Sequence, residues 1–418
     1  MLQTAALPTG HADLVTDVAY DFYGERIATG SADQKIKVWR KDSKGSGWEL
    51  EAEWKAHDAP ILRLTWSHPE FGNLLASCSY DRTVRIWEEV GPAGGASMVN
   101  GNSGGQRRWA ERALLNEARG SVRGVEFGPN AFGLKLASIS TDATLRIYTS
   151  ISPTLTEWQL TNSISVPSLI NTSSSANPTD GDSGISGIAG QSSQNSSTNS
   201  NSGSVAGGSG FQQSSGTGPG AGLINPGKGN EALGGWTVSW CKEKWWGSVL
   251  AVSSGHSGII KIVSLSSSPP SALLILPPPS NNTSHPQQPT QKHNSLGAQA
   301  ITSLSWAASC GRSYHLIASG HRDGTVRVWK IKPADGAGSG GNASWSASVM
   351  GEWGLGEATI GRVEWNTTGS ILSVASEEGK VRLYKATYAG KWECMGTFSA
   401  EAPQEDGNDD GADAMIQE

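Results

Sequence analysis

Cysteine is scarce: four in 418 residues, at Cys78, Cys241, Cys310 and Cys394, with no C-x-x-C spacing. That excludes a disulfide framework and a thiolate zinc cage, and it predicts a reducing compartment. No apolar run approaches the roughly 18 residues of a membrane-spanning helix. The opening MLQTAALPTGHADL has no basic region followed by a long apolar stretch, so neither a transmembrane segment nor export by a signal peptide is expected. The eight histidines form no H-E-x-x-H or other close ligand pair, and no G-x-S-x-G elbow occurs. GLINPGKG at 222–229 matches a phosphate-binding loop as far as Lys228, but it puts Gly where Ser or Thr must meet the metal and has no strand before it. The sequence predicts no enzyme, no cofactor and no metal site.

A basic surplus is lacking as well. Lys and Arg number 32 against 38 Asp and Glu, yet residues 400–418 alone hold seven acids (Glu401, Glu405, Asp406, Asp409, Asp410, Asp413 and Glu418) and no base. The rest of the chain therefore carries 32 bases against 31 acids, a net of +1. A near-neutral body, with Arg107, Arg108, Lys242 and Lys244 scattered near loops, argues against direct binding of nucleic acid. The tail at 400–418 reads as solvated, disordered chain.

What the sequence has in quantity is repetition. One phrase occurs six times: IATGSADQKIKVW (27–39), LASCSYDRTVRIW (75–87), LASISTDATLRIY (136–148), LAVSSGHSGIIKIV (250–263), IASGHRDGTVRVW (317–329) and LSVASEEGKVRLY (372–384). Each reads as a hairpin, two strands about a tight turn of Asp, Gly, Asn or Ser. Upstream of each lies another alternating strand ending on an aromatic: 15–20, 61–66, 122–127, 236–240, 301–306 and 361–365. Downstream comes a less regular fourth strand: 48–54, 107–115, 157–166, 272–276, 348–353 and 391–398. Four strands repeated six times predict an all-β fold, a β-propeller of six four-stranded blades at about 14–54, 61–115, 121–166, 236–276, 300–353 and 359–398 within 1–399. The Ser/Gly/Asn-rich insert 168–230 carries only Asp180, Asp182 and Lys228 as charges and is expected to be disordered, and Pro-rich 268–299 reads as a loop.

Two features of this repeat bear on function. The turn acids Asp33, Asp81, Asp142, Asp323 and Glu378 sit on separate blades, which argues against a catalytic carboxylate cluster. In a WD-type repeat such an Asp joins a His, a Ser/Thr and a Trp in a structural hydrogen-bond network, an arrangement expected for His11, Asp33 and Trp39 and for His57, Asp81 and Trp87, with Asp142, Asp323 and Trp329 in equivalent positions. The second feature is closure. The last blade already has its own fourth strand at 391–398, and MLQTAALPTG shows no alternation, so neither terminus is expected to latch the first blade to the last. An open ring exposes two apolar faces, and the sequence predicts a seventh blade supplied in trans. Candidate contacts are Leu14, Val15, Val18 and Tyr20 on one side and Trp392, Met395 and Phe398 on the other.

The segments GHADLVTDVAYDFYGERIATGSADQKIKVW, LTWSHPEFGNLLASCSYDRTVRIWEE, VEFGPNAFGLKLASISTDATLRIY, SLSWAASCGRSYHLIASGHRDGTVRVWK and VRLYKATYAGKWECMGTF resemble the SEH-type nucleoporins, the small WD-repeat subunits of the Y-shaped nuclear-pore scaffold. DFYG at 21–24, FGLKLAS at 132–138 and GRSYHLIASG at 311–320 favour that type over its paralogue shared with the outer secretory-vesicle coat. The resemblance implies an open six-bladed propeller completed by a blade from an α-helical scaffold nucleoporin. It also implies a place among the other Y-complex subunits at the nuclear envelope, with a cytosolic pool. A further implication is membership of a SEA/GATOR-type vacuolar coat that regulates nutrient signalling to the TOR kinase. The insert, the Pro-rich loop and the acidic tail depart from the family pattern. Two other readings stay open: a secretory-vesicle coat propeller, and a closed adaptor that reads peptides at its channel mouth.

Overall fold

The computed structural model describes residues 7–42, 47–91, 108–170, 233–278, 299–332, 345–356 and 358–399. The acidic tail, Arg107, residues 279–298 and nearly all of the 168–230 insert lie outside them. Apart from single 3-10 turns such as Pro69–Phe71, every regular element described is a strand. Blade 1 comprises β1 (Val15–Tyr20), β2 (Arg26–Ser31), β3 (Lys35–Lys41) and β4 (Trp48–Lys55). Blade 2 comprises β5 (Ile61–Trp66), β6 (Leu74–Ser79), β7 (Val84–Val90) and β8 (Arg108–Leu115), and blade 3 β9 (Val122–Phe127), β10 (Lys135–Ser140), β11 (Thr144–Ser150) and β12 (Trp158–Ser165). Blade 4 comprises β13 (Gly235–Trp240), β14 (Val249–Gly255), β15 (Ile260–Ser264) and β16 (Ser271–Leu276). Blade 5 holds β17 (Ile301–Trp306), β18 (His315–His321), β19 (Thr325–Lys332) and β20 (Ser346–Gly354), and blade 6 β21 (Ile360–Trp365), β22 (Ile371–Ser376), β23 (Lys380–Ala386) and β24 (Trp392–Ser399). Each blade is a four-stranded antiparallel sheet in chain order, and the six form a β-propeller.

The turn chemistry explains why the second and third strands of each blade recur so faithfully. One residue of the turn takes a left-handed conformation, at Gln34, Arg82, Ala143, Gly258, Gly324 and Gly379. Where that residue is not Gly it is strained by about 1 kcal/mol, and a side chain offsets the strain. Asp33 accepts from the backbone N–H of Lys35 at 3.0 Å, Asp81 from Thr83 at 2.9 Å and Asp142 from Thr144 at 2.9 Å. The irregular look of the fourth strands also has one cause. A β-bulge interrupts the pairing of third and fourth strands at the same place in every blade, at Val38/Trp39, Ile86/Trp87, Ile147/Tyr148, Ile262/Val263, Val328/Trp329 and Leu383/Tyr384. The extra residue shifts the inward-outward alternation by one.

Blades pack face to face through their first strands: β1 on β5, β5 on β9, β9 on β13, β13 on β17 and β17 on β21. Each of these five seams holds its own apolar core. A first-strand tryptophan ties each of three blades to the one before it: Trp66 Nε1 donates to the Ala19 carbonyl at 3.0 Å, Trp240 to Glu126 at 3.1 Å and Trp365 to Ser305 at 3.1 Å. The approach is closest at Gly235, where an added Cβ would lie 1.8 Å from the Ile301 carbonyl oxygen.

Gly235→Ala is therefore expected to cost about 2 kcal/mol or more, the scale of overpacking in a dense core. Gly361→Ala, whose Cβ would stand 3.7 Å from the Ala375 carbonyl, is expected to leave the midpoint of denaturant unfolding almost unchanged. Equal midpoints for the two variants would disprove the close seam at Gly235.

Candidate functional site

The repeat supplies an internal standard against which the sixth junction, blade 6 to blade 1, can be compared. The fourth residue of the first strand is Leu64, Val125, Val238, Leu304 and Val363 in blades 2 to 6, each no more than 8% exposed. Its counterpart in blade 1, Val18, is 40% exposed, and Tyr20, where other blades carry a seam tryptophan or phenylalanine, is 59% exposed. The facing side of blade 6 departs in the same way. In blades 1 to 5 the third-strand pairs Ile36 and Val38, Val84 and Ile86, Leu145 and Ile147, Ile260 and Ile262, and Val326 and Val328 are all buried, whereas Val381 is 36% exposed and Leu383 half-buried. The two end faces of the ring thus keep seam-type side chains without a seam between them.

Alternation and register assign the members of each face. On blade 1, Val18 pairs with Thr29 and Lys37, and Tyr20 with Ile27 and Trp39. Leu50 stands opposite Trp39 and is exposed. Tyr20 meets Trp48 edge to face, with ring centres 6.0 Å apart. On blade 6 the face is built from Ala375, Val381 and Phe398 in one row and Ser373, Leu383 and Gly396 in the next. At the channel end charge joins the two blades. Asp17 on β1 receives Arg362 from β21, Arg63 from β5 at 3.3 Å and the backbone N–H of Leu64 at 2.8 Å. Arg362 also meets Glu364 at 3.4 Å.

Of the residues expected at the opening, Val18, Tyr20 and Phe398 lie on the two facing surfaces, and Leu14 and Val15 are exposed beside them at the start of β1. Met395 is exposed at the bulge of β24. Trp392 is placed elsewhere. It lies on the opposite side of blade 6, stacked on Trp353 of blade 5 at 6.0 Å and edge-on to Trp365. The bulge at Leu383/Tyr384 moves it there, because counting by twos from Phe398 fails once the extra residue enters. Leu50, Val381 and Leu383 were not singled out from the sequence, although their positions in the repeat carried the signal.

The structural network is complete in blades 1 and 2. His11 meets Asp33 at 2.9 Å and Thr29 Oγ1 at 2.9 Å, and Trp39 Nε1 donates to the same hydroxyl at 3.1 Å. His57 meets Asp81 at 2.8 Å and Ser77 at 2.8 Å, where Trp87 donates at 3.0 Å. Burial alone would raise the Asp81 carboxyl, but the His57 and Thr83 hydrogen bonds outweigh it and hold it well below the usual carboxylate range. The expectation for the other blades is corrected. Asp142 pairs with Arg146 at 2.7 Å, because blade 3 has Ala118 where blades 1 and 2 have the histidine. Asp323 accepts from the Thr325 N–H, while Trp329 Nε1 is buried without a partner. His321 instead joins Ser319 and Arg327. Among the described residues no cluster of His, Cys, Asp or Glu could hold a metal ion, and no helix is long and apolar enough to cross a membrane.

Comparison with known proteins agrees with this architecture. The WD domain, G-beta repeat family matches residues 3–40, 48–88 and 290–330. The chain is similar to nucleoporin SEH1 of Saccharomyces cerevisiae, 31% identical over 94% of this chain and 98% of that protein. It is likewise similar to nucleoporin seh1 of Schizosaccharomyces pombe, 29% identical over 97% of this chain and 98% of that protein, and to human nucleoporin SEH1, 28% identical over 98% and 91%. The crystal structure of Saccharomyces cerevisiae Sqt1 superposes with a TM-score of 0.52 over 94% of this chain and 75% of that one, at 14% identity, a likeness of fold.

Two buried histidines give the fold an acid-side dependence. Burial, with Arg312 adding to it, pushes His315 down to about 4, and burial with Arg327 does the same for His321, from an ordinary value of 6.5. Because the folded values lie below the unfolded one, the unfolded chain takes up protons first. Stability is expected to fall as pH drops from 6.5 towards 4 and to rise again on return. His315→Phe, which keeps a ring among Trp246, Trp306 and Trp345, should remove roughly half of that loss. An unchanged pH slope of the unfolding midpoint in this variant would refute the assignment.

Proposed function

The chain belongs to the nucleoporin SEH1 family, and from that premise we propose that it is a non-enzymatic scaffold subunit of the nuclear pore, held in the Y-shaped complex by an α-helical scaffold nucleoporin that inserts a β blade between blade 6 and blade 1. One observation carries the reading: seam positions buried in every other blade are exposed on these two facing surfaces, at Val18 and at Val381, and Tyr20 is exposed where the other blades hold a buried or half-buried aromatic. Apolar faces with unpaired partners are a cost to a lone chain, and a β segment presenting alternate apolar side chains would bury both at once. The site has the chemistry of packing and no other. Among the described residues it holds no convergent pair of acid and base, and its Asp17 carboxylate is occupied by Arg63, Arg362 and a backbone N–H.

The location that follows is the nuclear envelope, at the pore. The same opening would serve a helical subunit of a vacuolar coat, which would connect the chain to TOR nutrient signalling. Both assemblies need only one type of occupant, a blade offered in trans, so the opening itself makes no choice between them.

The test is co-expression with the α-helical scaffold nucleoporin, intact and without its amino-terminal β segment, followed by size exclusion. A 1:1 complex is expected with the intact partner and none with the truncated one. Val18→Asp with Val381→Asp should weaken binding at least tenfold with an unchanged melting curve, since both side chains are already exposed in the free chain, whereas Ile151→Asp, exposed between the third and fourth strands of blade 3, should bind normally. Full affinity in the double variant, or binding by the partner that lacks its β segment, would overturn the proposal.

A further inference from the structure

At the mouth of the central channel a cavity of about 650 Å³ has four arginines among its lining residues, Arg63, Arg123, Arg322 and Arg362. Three carboxylates share it, those of Asp17, Glu364 and Glu377. Asp17 is fully engaged by Arg63, Arg362 and the Leu64 N–H, and Glu364 lies beside Arg362. Arg123, on the far wall from the opening, differs. Its guanidinium lies over the Tyr80 ring, 4.6 Å from the centroid, and 5.7 Å from that of Trp236, with no carboxylate at ion-pair distance among the described residues. Its Nε is buried without an acceptor, and so is the indole N–H of Trp236, which also lines the cavity. Guanidinium and indole are donors only, and buried donors left without acceptors are costly. The complement of this wall is an anion with several oxygens, and aromatic rings on the cation keep it oriented for one.

We propose that this wall is a carboxylate-binding site and that its occupant is the chain's own acidic tail, residues 400–418. The tail offers seven carboxylates and no competing base. Its point of departure is favourable. Ser399 ends β24 opposite Lys380, at the same end of blade 6 as Ser376 and Glu377, which line the cavity. From the outermost strand of blade 6 to its innermost is three strand spacings, roughly 14 Å, and Arg123 on blade 3 lies further on, across the channel. A chain of this length reaches about 60 Å extended and has a root-mean-square span near 25 Å as a coil. The effective concentration of the tail at the mouth is therefore in the millimolar range, enough for modest charge pairing to fill the site. The proposal does not rest on the insertion of a partner's blade, because Arg123, Tyr80 and Trp236 belong to blades 2, 3 and 4.

The experiment uses a fluorescent peptide of sequence 400–418 and two forms of the full chain, one unaltered and one with the seven tail acids changed to Asn or Gln, read by anisotropy. The peptide should bind the neutralised chain, bind the unaltered chain at least tenfold more weakly because its own tail competes, and lose affinity as salt rises. Arg123→Ala in the neutralised chain should weaken binding at least tenfold. The melting curve identifies any failure to fold, and Arg123→Lys, which keeps the charge and the fold but not the fork of donors, should recover part of the affinity. Equal affinity for the neutralised and unaltered chains, or binding indifferent to Arg123→Ala in a folded variant, would overturn the proposal.

Discussion

The structure depends on burying both faces of every blade. A four-stranded sheet of alternating residues has no polar side to offer water where its second and third strands carry Ile27, Ala28, Ile36, Val38 and Trp39, so it is stable only between neighbours. Five seams satisfy that demand with apolar cores. The chain's local devices serve it: Asp-capped turns fix the hairpins, bulges bend the fourth strands, glycines such as Gly235 let backbones approach, and first-strand tryptophans reach back for a carbonyl of the preceding blade.

At the junction of first and last blades the means of attachment change. Elsewhere the first strands touch through Leu, Val, Ile and Trp, with side-chain acceptors such as Ser239 and Ser303 taking a backbone N–H of the next blade. Here the contact at the channel is Asp17 with Arg362, backed by Arg63. A buried carboxylate between two guanidiniums is costly to break but contributes little beyond its own desolvation cost. It fixes the inner edges of blades 1 and 6 in register without covering the surfaces further out. That combination leaves Val18, Tyr20 and Val381 exposed and Leu383 half-buried.

The fold was legible because its signals are local. Period-two alternation and the Asp or Gly turn are set by neighbouring residues, and the spans 15–20, 61–66, 122–127 and 301–306 are strands at those residues. The facing of side chains was less legible, because it passes through bulges. Trp392 looks like a partner of Phe398 in sequence, and one extra residue at Leu383/Tyr384 sends it to the opposite seam with Trp353. The networks show the same division. Blades 1 and 2 have a His four residues before the first strand and build the full set, while blade 3 has Ala118 and fills the place with Arg146. The cluster at Arg123 could not be read at all, since Tyr80, Arg123 and Trp236 come from three blades.

Repeat proteins ordinarily finish their terminal repeats with polar outer faces, because an end face has no neighbour and must meet water. The end faces here are not finished in that way. A polar cap would put Lys, Glu or Ser at the exposed seam positions, yet the chain keeps Val18, Tyr20 and Leu50 on one side and Val381, Leu383 and Phe398 on the other. Selection for the stability of the isolated chain would remove these residues, since each leaves apolar surface in water at about 25 cal/mol per Å². Keeping them makes sense where the stable unit is larger than the chain. The apolar end faces then remain as surface for packing, while the Asp17–Arg362 pair joins the two blades at their inner edges.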